Sequence, residues 1–480
     1  MWVMPQNRYL IRLLMQPVQA TAKPYLMART LIPDFENMIT KHLRQLWLAL
    51  AIMACSLPVA GQPLAPAPLL TLEEALKTAL ENNYDIRISA NQVEQARSNV
   101  HIGNAGYLPF LGGTFNSTND IENTQQIRSN GQNIELNGVK SSVINYGVNF
   151  NWTIFNGFAM FARYDQLKAL QKLGEANLQA TVLMRVSDVI STYYDLVQQQ
   201  QQLRAYDTAL AISRLRVETA QVRFQIGKAA RLEVLNAQVD LNTDTTNLLR
   251  QQELYRNTRV LLNELLARDL TTAFRVADSV TINTNLRLED LTSRALAQNP
   301  NLQAVQVSKR IAELDLKQVR ALRYPEISLN SGYNVRRSRT PAGFTTRAEA
   351  QGFTYGVSAS FNIFNGLVQR RNERTAELLI QNSQLEYQRL SQNLSAQLAA
   401  AYQTYQTNLT LVRLEENNQR IAKQNLDITL EKYRLGTLTT VEFRDAQLNY
   451  LNATVRYANA QYQAKLAEVA LQEIAGDISL

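Results

Sequence analysis

Two stretches of the chain alternate without a lapse between apolar and small polar residues. Tyr146, Val148, Phe150, Trp152 and Ile154 are separated by Gly147, Asn149, Asn151 and Thr153; Tyr355, Val357, Ala359, Phe361 and Ile363 are separated by Gly356, Ser358, Ser360 and Asn362. A period of two marks a β-strand whose two faces meet different surroundings. Ile327, Leu329, Tyr333 and Val335 predict a weaker strand ahead of the second. Elsewhere the step changes to three and four: Leu390, Leu394, Leu398, Tyr402, Tyr405, Leu409 and Val412 trace the apolar seam of a coiled-coil helix. Glycine is scarce in these helical tracts. Gly227 is the only one between Gly174 and Gly332, and Gly436 the only one between Leu367 and Ala475, so each is predicted to be the tip of a helical hairpin. Gly174 sits early in the first long helix and weakens it by only about 1 kcal/mol.

At 1.5 Å per residue, the helix from strand end to tip glycine extends roughly 100 Å, whereas residues 232–267 give only about 55 Å and residues 72–105 about 50 Å. Two short helices end to end therefore match one long one. Residues 271–285 are predicted to form an equatorial segment packed around the break.

The same features occur twice. Leu72-Glu73, Ala79-Leu80, Asn83, Ala96, Ala105 and Pro109 recur 216 positions later as Leu288-Glu289, Ala295-Leu296, Asn299, Ala312, Ala321 and Pro325. Downstream the offset is 209: Tyr146-Gly147-Val148 and Ile154 to Gly157 match Tyr355-Gly356-Val357 and Ile363 to Gly366, and Gly227 matches Gly436. The seven-residue difference lies between Pro109 and Tyr146, which predicts one lengthened, exposed loop. The organisation read from this is a first repeat over 70–270, the equatorial segment 271–285, and a second repeat over 286–480. Together they make one unit spanning 62–480.

Composition narrows the picture at the N-terminus. Lys41, His42 and Arg44 precede an apolar run from Leu46 to Cys55, with Ala60 and Gly61 after it, so residues 38–61 read as an export signal. Residues 1–37 lack periodicity and read as a non-coding or extended leader, with Met38 a candidate initiator. Cys55 is the sole cysteine; it falls within the signal, which leaves the mature chain without disulfide or thiol chemistry. Ile52-Met53-Ala54-Cys55 also loosely matches a lipoprotein box, which makes Cys55 a candidate lipidation site, although Met53 fits that box poorly. The formal charge of +8 halves once the leader is removed, because residues 1–61 hold six Lys/Arg against two Asp/Glu. Nucleic acid is not an expected partner.

Past the signal nothing approaches the 18 or so consecutive apolar residues of a spanning helix. An exported chain that crosses a membrane without one must do so as β-strands. The strands have the roughly ten residues a tilted membrane strand needs, their polar face is small and uncharged, and aromatic residues mark the other face. A soluble sandwich would give the same alternation in a single strand; the export signal favours lipid. The lipid-facing set is then Tyr146, Val148, Phe150, Trp152, Ile154, Tyr355, Val357, Phe361 and Ile363. Four strands cannot close even an eight-stranded barrel, so chains must associate: three give twelve strands, and two or four satisfy the same arithmetic.

The duplication, the two Ile-Phe-Asn-Gly strand ends, and the tips Phe224-Gln225-Ile226-Gly227 and Tyr433-Arg434-Leu435-Gly436 together resemble the TolC family of outer-membrane efflux channels over about residues 70–480. The resemblance implies an α+β membrane protein: a homotrimer with four strands per chain in a shared barrel, and long coiled-coil hairpins forming a periplasmic tube. It implies a passive exit duct in a tripartite efflux or type I secretion system, with a periplasmic adaptor (membrane fusion) protein and an inner-membrane transporter supplying the energy. The tips at Gly227 and Gly436, where both long helices reverse, are the expected adaptor contacts, the alternative being that these glycines only end helices. It also implies a gate. Acidic residues at the positions of Glu442 and Asp445 ring the closed tunnel end in that family, and a tyrosine at the position of Tyr433 ties helices together through an acidic residue at the position of Glu233. The family's tip arginine is replaced here by Leu438.

Two other classes fit less well. An enzyme would need clustered acid, base or ligand groups, yet His42 and His101 are the only histidines, and no phosphate loop or nucleophile elbow occurs; no catalytic, cofactor or metal site is expected. A trimeric coiled-coil surface adhesin with a shared barrel anchor also pairs strands with coils. Such adhesins carry their strands at one end, whereas here each strand pair is flanked by helices.

Overall fold

The computed structural model describes residues 68–342 and 345–478. The segments expected to be a leader and an export signal, with His42 and Cys55, lie outside the described residues. Two short helices, α1 (Leu72–Asn82) and α2 (Tyr84–Asn99), lead into strands β1 (Phe110–Ile127) and β2 (Asn133–Asn156), a 67-residue helix α3 (Ala159–Gln225) and a shorter helix α4 (Arg231–Leu265). The same order follows again: α5 (Leu288–Gln298), α6 (Pro300–Ala321), β3 (Glu326–Arg339), β4 (Arg347–Ser360), the 68-residue α7 (Val368–Leu435) and α8 (Thr440–Ala475). The two long helices are each about 100 Å in length. Among the described residues no helix is long and apolar enough to cross a membrane.

Each long helix lies beside a jointed pair. The short helices do not run unbroken to Ala105 as the spacing predicts, because an asparagine interrupts them. Asn83 caps α2 by accepting from the backbone N–H groups of Asp85 and Ile86 (3.0 and 3.3 Å), while its amide donates to the carbonyl of Leu265 at the end of α4 (2.8 Å). Asn299 does the same between α6 and α8, accepting from Asn301 and Leu302 (3.0 and 3.2 Å) and donating to the Ile474 carbonyl (3.0 Å). One side chain thus satisfies donors left unpaired at one helix start and an acceptor at another helix end. The contact is close enough that a Cβ on Gly476, at φ +78°, would lie 2.9 Å from the Cα of Asn299.

The break is also where the core is thickest. Leu196, Val197, Leu262, Leu266, Phe274 and Val276 form one buried cluster, and Leu291, Leu398, Tyr405 and Leu471 another. The segment after α4 wraps across them. Arg275 bridges Leu69 in parallel, and Tyr193 donates to the Leu70 carbonyl (3.0 Å) while accepting from the Ala277 N–H (3.1 Å). Tyr405 donates to the Asn283 carbonyl and Tyr402 to that of Leu286 (3.3 Å). On α7 the predicted seam is the packed face, with Leu394, Leu398 and Tyr405 buried and Tyr402 and Leu409 partly so.

Two sequence expectations need correction. The extra residues before Tyr146 are not a loop: β1 and β2 continue as a ladder to Ile127 and Asn133, with an irregularity between Glu122 and Thr124, so the added length is hairpin. The second alternating strand ends at Ser360, which leaves Phe361 and Ile363 outside β4. Its partner β3 starts only at Glu326, opposite Ser360, and before it stands Pro325, which has no N–H to donate. Among the described residues no backbone extends the ladder past this pair.

Candidate functional site

The four strands form one antiparallel sheet in the order β1-β2-β3-β4, and its register sorts the side chains. Directly opposed residues share a face. Rows running across all four strands read Leu111, Phe150, Ser331, Tyr355; Gly113, Val148, Tyr333, Phe353; and Phe115, Tyr146, Val335, Gln351. A fourth row joins Trp152, Leu329 and Val357. The intervening rows hold Gly112, Asn149, Gly332, Thr354 and Thr114, Gly147, Asn334, Gly352. One face is therefore an apolar belt and the other a polar surface. The polar side chains bond across strands: Asn149 donates to Thr114 (3.1 Å), Asn334 to Asn149 (3.2 Å) and Asn330 to Ser358 (2.8 Å). Gly147 and Gly332 give these amides room, since a Cβ on Gly147 would lie 2.2 Å from Asn334 Oδ1 and one on Gly332 2.7 Å from Asn149 Oδ1. Ile154 falls at a register shift between Thr153 and Phe155, so Phe155 is the residue opposite Ile327.

Aromatic rings gather where sheet meets helix. Trp152 donates its indole N–H to the Tyr107 carbonyl (2.8 Å), Tyr107 meets Phe161 edge-on with centroids 5.3 Å apart, and Phe155 meets Phe158 at 5.2 Å. The turn into each long helix places two successive residues at positive φ: Gly157 and Phe158, then Gly366 and Leu367. A side chain at such an angle is unfavourable outside glycine, and nothing in the sequence pattern announced it.

At the far end of the helices the tips take the form the glycine spacing predicts. Gly227 has φ +73° and Gly436 φ +82°. Arg223, at the end of α3, joins the two tips by donating to the Tyr433 carbonyl and lying over the Tyr433 ring, 4.7 Å from its centroid. Tyr433 is buried and stacks on Phe443, 4.7 Å away and 6° from parallel. Its hydroxyl does not bond Glu233; Thr440 donates to that carboxylate instead (3.2 Å). Burial is the main cause of the upward shift in the Tyr433 pKa. Leu438 joins the apolar cluster of Tyr433 and Phe443. Glu442 belongs to a capping box: Thr439 accepts from its N–H (3.3 Å), and its carboxylate accepts from the Thr439 hydroxyl (2.7 Å) and N–H (3.1 Å). Those bonds hold its pKa below the usual carboxylate range. Asp445 is exposed, with no hydrogen bond or ion pair among the described residues.

Above the tips lies a buried charged network that the sequence reading missed. Arg444 on α8 forks onto Asp244 on α4 (2.7 and 2.9 Å) and approaches Asp240 at 3.7 Å. Asp240 pairs with Arg216 on α3, and Asp244 also accepts from Ser213, to which Gln447 donates (2.9 Å). Burial opposes the charge on Arg444, but the bond to Asp244 and the fields of both aspartates outweigh it and raise its pKa. Residues 240 and 244 are four apart on one helix face, a hint available in the sequence; their partners are on other helices.

A sheet with one apolar and one polar face, set on helices of about 100 Å, is a design with known counterparts. The family model for outer membrane efflux proteins matches residues 75–268 and again 291–477. The chain belongs to that family. Among its relatives, outer membrane protein TolC of Vibrio cholerae is 22% identical over 351 residues, covering 71% of this chain and 78% of that one. The cation efflux system protein CusC of Escherichia coli K12 is 21% identical over 411 residues, covering 84% and 85%. The crystal structure of the CmeC outer membrane channel of Campylobacter jejuni superposes with a TM-score of 0.69 at 19% identity, covering 84% of this chain and 85% of that one. The fold is thus that of the outer-membrane efflux channels, and membership places the protein in the bacterial outer membrane.

Proposed function

We propose that three copies of the chain close a twelve-stranded barrel, with β4 of each pairing to β1 of the next, and that α1–α8 line a water-filled periplasmic tube. The observation that carries this reading is the two-faced sheet with both edges open. Inside hydrocarbon, unpaired strand edges cost several kcal/mol per group, and pairing to a neighbour removes that cost. The polar rows of Asn149, Asn334 and Asn330 then face the lumen, while Tyr146, Val148, Phe150, Trp152, Tyr355 and Val357 face lipid. The tips at Gly227 and Gly436 are the ends available to a periplasmic adaptor, and an inner-membrane transporter supplies the driving force, in a tripartite efflux or type I secretion assembly. Glu442 and Asp445 from three chains ring the periplasmic end and act as a gate. Glu233 supports that gate through the Thr440 hydroxyl, and Tyr433 through its stacking on Phe443. Chemical crosslinking of the purified protein should give a ladder ending at three subunits, and the same preparation should form discrete conducting steps in a planar bilayer. A ladder ending at one subunit, or a bilayer that stays silent, refutes the barrel.

A further inference from the structure

Beyond the apolar belt, at the end of the sheet away from the helices, the same face turns basic. Past the row of Phe115, Tyr146, Val335 and Gln351, the next residues on that face are Arg337, opposite Ile144 and Glu349, and then Arg339, opposite Ser142 and Arg347. Lys140 is the following position on β2, opposite Ile121. The guanidinium of Arg337 lies 5.9 Å from the centroid of the Tyr146 ring, which fixes it to the belt side, and its Nε donates to Glu349 (2.9 Å). Arg339, Arg347 and Lys140 are exposed and have no ion pair among the described residues. Two arginines face each other directly across the β3–β4 ladder, an arrangement that repels unless an anion lies between them. Glu349 is the only carboxylate in these rows.

We infer that this rim binds the phosphate groups of a phosphorylated glycolipid in the outer membrane leaflet, with Arg339 and Arg347 bridging one phosphate and the acyl chains lying along the exposed Tyr333 and Phe353. The inference rests on the barrel reading above. An amphiphile fits better than a soluble anion because the basic rows adjoin the apolar rows on one continuous face. Guanidinium pairs also suit phosphate, which they grip through two parallel N–H···O bonds.

The test titrates the purified full-length protein in detergent with fluorescent diphosphoryl lipid A. Saturable binding is expected, weakened at least tenfold by the Arg339→Gln, Arg347→Gln double substitution and by removing the lipid phosphates. The single Arg347→Gln variant should weaken it several-fold, and Arg336→Gln, on the opposite face, should leave it unchanged. Every variant is checked for single-channel conductance. Equal binding by a conducting double variant overturns the inference, as does equal binding of dephosphorylated lipid or displacement by inorganic phosphate alone. If the unsubstituted protein never inserts or conducts, the barrel reading fails and takes the rim with it, a result distinct from a conducting channel that ignores the lipid.

Discussion

Replacing Asp244 by Asn tests whether the buried charges bind one helical hairpin to the other. Asp244 is 2% exposed and takes both arms of Arg444, itself 11% exposed. Removing one partner of a buried pair costs about 3–5 kcal/mol, because the remaining charge is left in a poor solvent. Arg444 retains Asp240 at 3.7 Å, so the lower end of that range, about 3 kcal/mol, applies. At about 1.4 kcal/mol per factor of ten, local opening should become roughly a hundredfold more frequent. Amide hydrogen exchange followed by mass spectrometry would read this in peptides covering residues 205–245 and 440–450, with peptides from the sheet unchanged. Exchange within about threefold of the parent protein in those peptides would refute the reasoning. A second variant closes the argument: Asp244→Leu with Arg444→Met replaces the pair by apolar groups and should recover most of the lost protection.

Cysteines at Asn149, Asn151 and Ser358 should react with a small polar maleimide in the assembled channel while those at Val148, Phe150 and Val357 stay unlabelled; equal labelling of both sets removes the assignment of faces. Gly436→Ala should weaken the second tip by about 1 kcal/mol through its left-handed backbone, since the added methyl would meet only Arg223 Nη2 at an ordinary 3.6 Å; a bulkier residue there should abolish adaptor crosslinking without disturbing assembly. Gly174→Ala should raise thermal stability by up to about 1 kcal/mol, because its methyl would sit 3.7 Å from Val93 Cγ2. At the proposed gate, Asp445→Ala should relieve divalent-cation block of conductance more than Glu442→Ala, whose carboxylate is engaged by its own cap. The lowered pKa of Glu442 means that its charge is lost at a lower pH than that of an unbonded glutamate, so the divalent block remaining in the Asp445→Ala channel should fade at a lower pH than an unbonded glutamate would give.

The sequence made periodic features legible and left contingent ones hidden. Alternation located β2 and the face carrying Tyr146, Val148 and Trp152, because a side-chain period of two survives any register. It overran β4 by three residues, since where a strand stops depends on whether a partner is present, and β3 begins only at Glu326. Likewise the seven added residues were countable, but whether they formed loop or ladder depended on pairing with a strand of equal length. The seam on α7 and the tip glycines were readable from spacing alone. Arg216, Asp240, Asp244 and Arg444 were not, because their association spans up to about two hundred positions and no local pattern distinguishes a buried arginine from a solvated one. Tyr433 and Glu233 lie close at the tip, yet the hydroxyl of Thr440, which no motif singled out, takes the bond expected of the tyrosine.

The asparagine joints bear on the order in which the molecule assembles. The bond from Asn83 to Leu265 spans 182 positions and that from Asn299 to Ile474 spans 175, whereas each helical hairpin closes through its own short tip. Closing a long loop costs more chain entropy than closing a short one, and contacts of large sequence separation slow folding. The hairpins are therefore expected early and the joints last, after the intervening strands and long helix are in place. A chain that lacks its final residues could complete α7 and most of α8 yet leave the Asn299 amide without its carbonyl, so damage at the C-terminus would be registered at the sheet-side helices rather than at the tips.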